Sequence, residues 1–131
     1  MNLIIAGGRN FADYQKLRAF CINVLVNVKE PIQVLSGRCP VGAHTFTASD
    51  GIKVYGADGL GERFAKEKAY NVLPCPADWD NLGYKAGPIR NAQMAEQGTH
   101  LIAFWDGKST GTGNMITLAK VAGLPVRICE Y

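Results

Sequence analysis

The sequence lacks the features that mark membrane proteins and secreted proteins. The apolar run near its start, from Leu3 to Gly7, has only five residues, and no basic segment precedes it. A membrane-spanning helix needs about 20 apolar residues, and a signal peptide begins with a basic segment. We therefore expect no signal peptide, no membrane anchor and no membrane partner, and we predict a cytoplasmic protein.

A strong charge of one sign and paired cysteines are also missing. The formal net charge is +3, and the Lys and Arg residues are scattered along the chain, whereas nucleic-acid-binding proteins concentrate them on one face. The four cysteines occur without a CxxC pair, and the two histidines belong to no His/Cys cluster. We therefore expect no nucleic-acid partner, no disulfides, no metal site and no cofactor. A small anionic ligand is compatible with the charge.

Short apolar runs alternate with amphipathic segments along the chain. The runs are typical of strands buried in a parallel sheet, and the spacing of apolar residues between them predicts helices. The predicted strands are 3–7, 32–37, 71–76, 99–105 and 124–129, and the predicted helices are 14–28, one starting at 56, 87–98 and one ending before 123. This alternation predicts a Rossmann-like, doubly wound parallel five-stranded sheet with helices on both faces, in a single domain of residues 1–131.

Residues 38–55 form an insertion that is longer than a strand-to-helix connection requires. Loops of this length in a compact domain are usually functional or have structure of their own. Strand-forming residues flank an Asp-Gly turn here, which predicts a β-hairpin. The insertion is interpreted as a surface decoration, a dimer arm or a lid over a site.

The stretch "FWDGKSTGTGNMI", residues 104–116, contains the letters with which a Walker A loop ends. That loop also needs a glycine five positions before its Gly-Lys pair, and Ile102 occupies this position, inside a predicted strand. The segment instead predicts a phosphate-binding turn, because glycines and hydroxyl side chains precede a helix whose first N–H groups lack internal partners. The alternative is an ordinary turn in which Thr112 caps the helix.

Unusual residues follow several predicted strands, at the edge of the sheet where doubly wound folds bind ligands. Arg9 and Arg90 offer forked donors for a phosphate, and Trp79, Tyr84 or Trp105 offers a ring for stacking on a base.

Three charged residues are candidates for chemistry. Asp58 and Glu62, one turn apart on the second predicted helix, are suited to orient a ribose hydroxyl or to act as a general base, with Arg90 beside them. For Glu62 the alternative is a solvated helix face with an ion pair to Lys66.

The sequence resembles the YpsA-related branch of the SLOG superfamily, a Rossmann-like group that includes the LOG nucleotide phosphoribohydrolases and the DprA DNA-processing proteins. The matching stretches are "IIAGGRNFADY", "LSG" with "GADGLGERFAKEKAY", "PADWDNLGYKAGPIRNAQM" and "LIAFWDGKSTGTGNMI". The resemblance implies a nucleotide or an ADP-ribose-like ligand, a homodimer, and relatives on phages or mobile elements. The resemblance and the position of residues after the predicted strands together give the predicted nucleotide-binding residues, which are Gly7, Gly8, Arg9, Ser36, Gly37, Trp79, Arg90, Asn91, Asp106, Gly107, Ser109, Gly111 and Thr112.

One departure from the family pattern bears on catalysis. Arg90 and Met94 match one motif of the LOG hydrolases, but Met115 stands where their second motif has a glutamate. Loss of a positioned acid or base typically costs a factor of ~10² to 10⁴ in rate. The first hypothesis is therefore a nucleotide-binding sensor, carrier or sequestering protein. The second is an N-glycosidic hydrolase that uses Asp58, Glu62 and Arg90, and a DNA-processing role is a third.

Overall fold

The computed structural model describes residues 1–39 and 45–131, and part of the 38–55 insertion therefore lies outside the described residues. The strands are β1 (Asn2–Gly7), β2 (Gln33–Ser36), β3 (Thr45–Thr47), β4 (Lys53–Tyr55), β5 (Asn71–Pro74), β6 (His100–Trp105) and β7 (Val126–Glu130). The helices are α1 (Tyr14–Leu25), α2 (Gly56–Glu67), α3 (Trp79–Leu82), α4 (Ala86–Gln97) and α5 (Thr110–Val121), with a 3₁₀ turn at Gly83–Lys85.

Five of the strands form one parallel sheet, in the order β5-β2-β1-β6-β7. The predicted Rossmann-like, doubly wound fold is therefore confirmed. The strand order reverses between β1 and β6. The connections that follow these two strands therefore run to opposite faces of the sheet, and a crevice lies between them at the carboxyl ends of the strands.

Helices cover both faces of the sheet because the central strands are apolar on both sides. On one face Leu3 and Ile5 pack in a core cluster with Phe64 of α2. On the other face Ile4 packs with Met94 of α4 and residues of α5. Among the described residues no helix is long and apolar enough to cross a membrane.

The predicted hairpin is confirmed for the part of the insertion that the structure describes. Strands β3 and β4 pair antiparallel and form a two-stranded sheet of their own. The turn between them is closed by the Ala48 N–H, which donates to Ile52 O at 2.9 Å, and Gly51 adopts a φ of +84°. Val54 is fully buried. An added Cβ on Gly59 of α2 would lie 2.6 Å from the carbonyl oxygen of Val54. The hairpin therefore packs closely on α2.

Two details of the helices differ from the sequence prediction. The first helix is capped by Asp13, whose side chain accepts from Lys16 N–H, but it ends at Leu25 rather than near residue 28. The four-residue helix α3 was not predicted, because no apolar periodicity marks a single helical turn whose side chains are exposed. Its one local signal is Asp78, whose carboxylate accepts from Asn81 N–H.

Candidate functional site

A cavity of about 590 Å³ opens at the carboxyl ends of β1 and β6, where the strand order reverses. Most of the predicted site residues line it, although they come from six separate parts of the chain. The predicted residues in its wall are Gly7, Gly8, Arg9, Gly37, Asp58, Trp79, Arg90, Asn91, Ser109, Gly111 and Thr112. The structure thus brings together residues that are more than 100 positions apart.

Four predicted site residues do not line this cavity, each for a structural reason. Ser36 is buried beneath it and donates its hydroxyl proton to Glu62 Oε2 at 2.7 Å. Glu62 lines a second cavity, and Asp106 and Gly107 form the turn ahead of α5.

Packing requires the glycine that ends β1. An added Cβ on Gly7 would lie 2.5 Å from the backbone oxygen of Phe104, whereas one on the following Gly8 would meet the hydroxyl end of the exposed Tyr131 side chain. The Gly8 carbonyl accepts from the N–H groups of Phe11, at 3.3 Å, and Ala57, at 3.1 Å. The loop is therefore fixed to the start of α2, which leaves the exposed Arg9 at the cavity wall.

The turn before α5 is held by the carboxylate of Asp106. Asp106 Oδ1 accepts from the N–H groups of Lys108 and Ser109, both at 2.8 Å, and these bonds lower the pKa of Asp106. Gly107 supplies the φ of +80° that the turn needs. The N-cap residue is Ser109 and the helix begins at Thr110, three residues earlier than a Thr112 cap would require, so the alternative of a Thr112 cap is wrong.

The other two glycines of this segment have different roles. An added Cβ on Gly113 would lie 3.3 Å from Cζ2 of Trp105, whose indole N–H donates to Ser109 O at 3.0 Å. Trp105 therefore supports the start of α5, and it does not line the cavity. Gly111 has no atom within 4 Å of an added Cβ and opens onto the cavity.

The first turn of α5 gives the cavity its clearest anion-binding feature. The N–H groups of Thr110, Gly111 and Thr112 precede the first intrahelical hydrogen bonds, and all three residues line the cavity. The helix dipole adds about half a positive charge at this end. Backbone donors and the dipole together favour a phosphate or another anion here.

Arg90 is partly buried and fastens the floor of the cavity. Its Nη1 donates to the carbonyl oxygen of Gly37 and, at 3.5 Å, to that of Cys75. Its Nε donates to Asn91 Oδ1 at 3.0 Å. Arg90 thus joins α4 to the ends of β2 and β5, and its charge stays in the cavity wall.

Asn91 extends this network to α5. Its Nδ2 donates to Gly111 O at 3.2 Å and to Asn114 Oδ1 at 3.0 Å. Asn114 also lines the cavity and was not predicted. Its position three residues after Gly111, on the same side of the helix, is the sequence signal that would have identified it.

Asp58 is a buried carboxylate in the cavity wall, only 9% exposed. Its Oδ2 accepts from Cys39 N–H at 3.1 Å. Burial raises the pKa of Asp58 to about 6, although the Arg90 charge and the Cys39 hydrogen bond favour its ionised form. A carboxyl group with this pKa exchanges protons near neutral pH, which suits either an acceptor or a general base.

Glu62, one turn further along α2, is also buried but has its own partners. Ser36 Oγ donates to Oε2, and Arg38 Nη2 donates to Oε1 at 3.1 Å. Glu62 is 3% exposed and its partner is Arg38 instead of Lys66, so the alternative of a solvated helix face is wrong. It lines a second cavity of about 410 Å³ beneath the hairpin.

Two aromatic side chains stand at the edge of the first cavity. Trp79 is 36% exposed and Tyr84 is 85% exposed, and both line the cavity. Exposed rings beside an anion-binding helix end are suited to stack on a nucleobase.

Met115, which stands where the LOG hydrolases have a glutamate, lines the cavity and is 1% exposed. A thioether cannot transfer a proton, which leaves Asp58 as the buried acid in the cavity wall. The part of the chain that the structure describes contains no group of three or more His, Cys, Asp or Glu side chains suited to a metal ion.

Comparison with known proteins finds a relative in a phage. The chain is similar to the Gene 61 protein of Mycobacterium phage D29, 39% identical over 77 residues that cover 54% of this chain and 62% of the phage protein. The match thus spans less than two thirds of that relative's length. No protein-family model and no solved structure matches the chain. The expectation of relatives on phages is confirmed by this match.

Proposed function

We propose that this chain binds a nucleotide or an ADP-ribose-like molecule in the first cavity, as a sensor, a carrier or a sequestering protein. The observation that carries the proposal is the first turn of α5, whose free N–H groups line a cavity of about 590 Å³ at the strand-order reversal. This volume lies within the range of about 300–1,000 Å³ that is usual for small-molecule sites. We also propose membership of the YpsA-related SLOG branch, on the motifs quoted above.

The charges in the cavity wall favour an anion. Arg9 and Arg90 line it together with the helix end, against one carboxylate, Asp58. A phosphate at α5 gains backbone donors and positive potential, and Trp79 and Tyr84 give a base a surface for stacking. One cavity therefore offers separate places for the phosphate and the base.

A charge placed on the first turn of α5 tests the proposal. Gly111→Asp adds a side chain into open space and suits the helix dipole, so it preserves the fold while it repels a phosphate. Calorimetry with AMP, ADP, ADP-ribose and inorganic phosphate should show binding to the wild type and at least a tenfold loss in the variant. Thr117→Asp, the same charge on an exposed position of α5 outside the cavity, is the control. Equal affinity for all three proteins would refute binding at this helix end.

A second candidate function is hydrolysis of a nucleotide N-glycosidic bond. The observation that favours it is Asp58, a buried acid in the cavity wall with its pKa raised to about 6. In this mechanism Asp58 activates water and Arg90 holds the floor of the site. Glu62, with its own buried partners, does not act directly.

Product analysis separates the two functions. Incubation with a nucleotide panel followed by chromatography should recover the ligand intact if the protein only binds it. Recovery of free base and ribose 5-phosphate would establish the hydrolase instead. The rate of their formation should then fall ~10² to 10⁴-fold in Asp58→Asn and stay unchanged in Asp13→Asn. Asp13 is an exposed cap of α1, where Asn caps equally well.

A homodimer and a cytoplasmic location complete the proposal. Light scattering during gel filtration should give twice the chain mass of 14.2 kDa. Fractionation of cells that express the chain should recover it with cytoplasmic markers.

A further inference from the structure

We propose that Asp58 accepts hydrogen bonds from the ribose hydroxyls of the bound nucleotide, so that the first cavity selects ribonucleotides over 2′-deoxyribonucleotides. The inference rests on the proposed function and adds the identity of the sugar to it.

Asp58 has unused capacity as an acceptor. An ionised carboxylate has about four positions that can accept hydrogen bonds. Among residues 1–39 and 45–131, Asp58 accepts one, from Cys39 N–H to Oδ2. A molecule that fills this cavity would cover Asp58, and a covered polar atom without a partner is costly, so the molecule is expected to bring donors to the carboxylate.

The group that faces Asp58 must donate and must not be an anion. A phosphate placed beside this carboxylate would be repelled by it and would lose the donors of the α5 N-terminus. Arg90, the nearest cation of α4, has its Nη1 and Nε engaged with Gly37, Cys75 and Asn91. A neutral group with adjacent hydroxyls meets the requirement.

The hydrogen-bond network indicates where the phosphate and the sugar of the ligand lie. It runs from Arg90, beside Asp58, through Asn91 to Gly111 in the first turn of α5. A phosphate at α5 therefore lies at one end of a continuous polar floor and Asp58 lies at the other. In a nucleotide the sugar is the part next to the phosphate, and its hydroxyls are the donors within reach.

Loss of one ribose hydroxyl should weaken binding of the nucleotide strongly. A hydrogen bond to a charged group is stronger than a neutral one, and sites built for a hydroxyl reject analogues that lack it. We expect each ribonucleotide to bind at least ~10-fold more tightly than its 2′-deoxy counterpart.

Calorimetry with paired ligands tests the inference. The pairs are AMP with 2′-deoxy-AMP, GMP with 2′-deoxy-GMP, and ribose 5-phosphate with 2-deoxyribose 5-phosphate, the last of which removes any contribution of the base. The wild type should prefer the hydroxylated member of each pair. Asp58→Asn should reduce that preference to less than twofold and still bind the deoxy ligands, and the control Asp13→Asn should keep it.

The outcomes separate the inference from the function on which it rests. Equal binding of both members by the wild type would overturn the role of Asp58 and leave nucleotide binding intact, and this comparison needs no variant that might fail to fold. A preference that persists in Asp58→Asn would assign the hydroxyl to another residue and would also overturn it. No binding of any phosphate-containing ligand would refute the proposed function itself.

Discussion

Asp58 and Glu62 lie one turn apart on the same helix, and both are almost completely buried, at 9% and 3% exposure. Glu62 has a hydrogen-bond donor on each of its oxygens, from Ser36 and Arg38. Asp58 has one described donor, Cys39, and borders the larger cavity. Burial alone therefore does not separate a structural carboxylate from a ligand-binding one. The difference lies in whether the fold itself supplies the partners.

The surroundings of the two carboxylates differ in the same way. Beneath the hairpin, Arg38 is shared between Glu62 and Asp50, so opposite charges pair with one another. In the first cavity, Arg90 donates to carbonyl and amide oxygens and leaves the carboxylate of Asp58 without a salt bridge to it. In the first arrangement the fold supplies a donor to each oxygen of Glu62, although Arg38 Nε has no hydrogen-bond partner among the described residues. The second arrangement is suited to a ligand.

The largest expected effect is the loss of stability on Glu62→Ala. This change removes the acceptor of the buried Ser36 hydroxyl and the more buried of the two carboxylates that pair with Arg38. Removal of one partner from a buried ion pair costs about 3–5 kcal/mol. Urea unfolding should show it, with the exposed Glu96→Ala on α4 as the control, changed by about 0.5 kcal/mol or less. Equal midpoints for the two variants would mean that the partners of Glu62 contribute nothing to stability.

The second expected effect is a smaller change in stability that comes from Asp58 and depends on pH. The pKa of Asp58 is raised from 3.8 to about 6 in the folded chain, so between these values the folded state binds more protons than the unfolded state. Wild-type stability should therefore fall as the pH rises through this window, by up to about 3 kcal/mol, and Asp58→Asn should remove that fall.

Urea unfolding of Asp58→Asn and of the wild type at pH 4, 5, 6 and 7 gives the difference between their free energies of unfolding. The titration of all other groups cancels in this difference. The variant should match the wild type at pH 4 and exceed it at pH 7, and Asp13→Asn should follow the wild type throughout. A constant difference between Asp58→Asn and the wild type would show that the folded chain does not disfavour the ionised form.

The smallest effect is expected for Asp50→Asn. Asp50 is exposed in the hairpin turn, where its bond from Arg38 lowers its pKa, and water screens an exposed pair. The unfolding midpoint should change less than in Glu62→Ala, and its difference from the wild type should shrink as salt is added. A loss as large as that of Glu62→Ala would show that the hairpin turn, and not the buried pair, holds Arg38 in place.

The sequence predicts the sheet, four of the helices and the hairpin because their apolar spacing is local and regular. It also predicts the edge of the sheet at which the first cavity lies, since doubly wound folds bind ligands there. Eleven of the predicted site residues line that cavity.

The sequence could not predict the different roles of Asp58 and Glu62. Their spacing places both on one helix face, and the partners that distinguish them, Ser36 and Arg38, lie 26 and 24 residues away in the chain. The role of Gly113 depends likewise on Trp105, whose position follows from tertiary packing. Contacts of this kind are set by the folded chain and have no local pattern.

The hydrogen bond between Cys39 and Asp58 makes one backbone amide a reporter for the whole site. The Cys39 N–H points at Asp58 Oδ2 at 3.1 Å, so its proton chemical shift should follow the charge on that oxygen. In a ¹⁵N-labelled sample, a single cross-peak would trace the titration of Asp58 and its response to each added ligand. The site can thus be observed in the unmodified protein, without a label placed in the cavity.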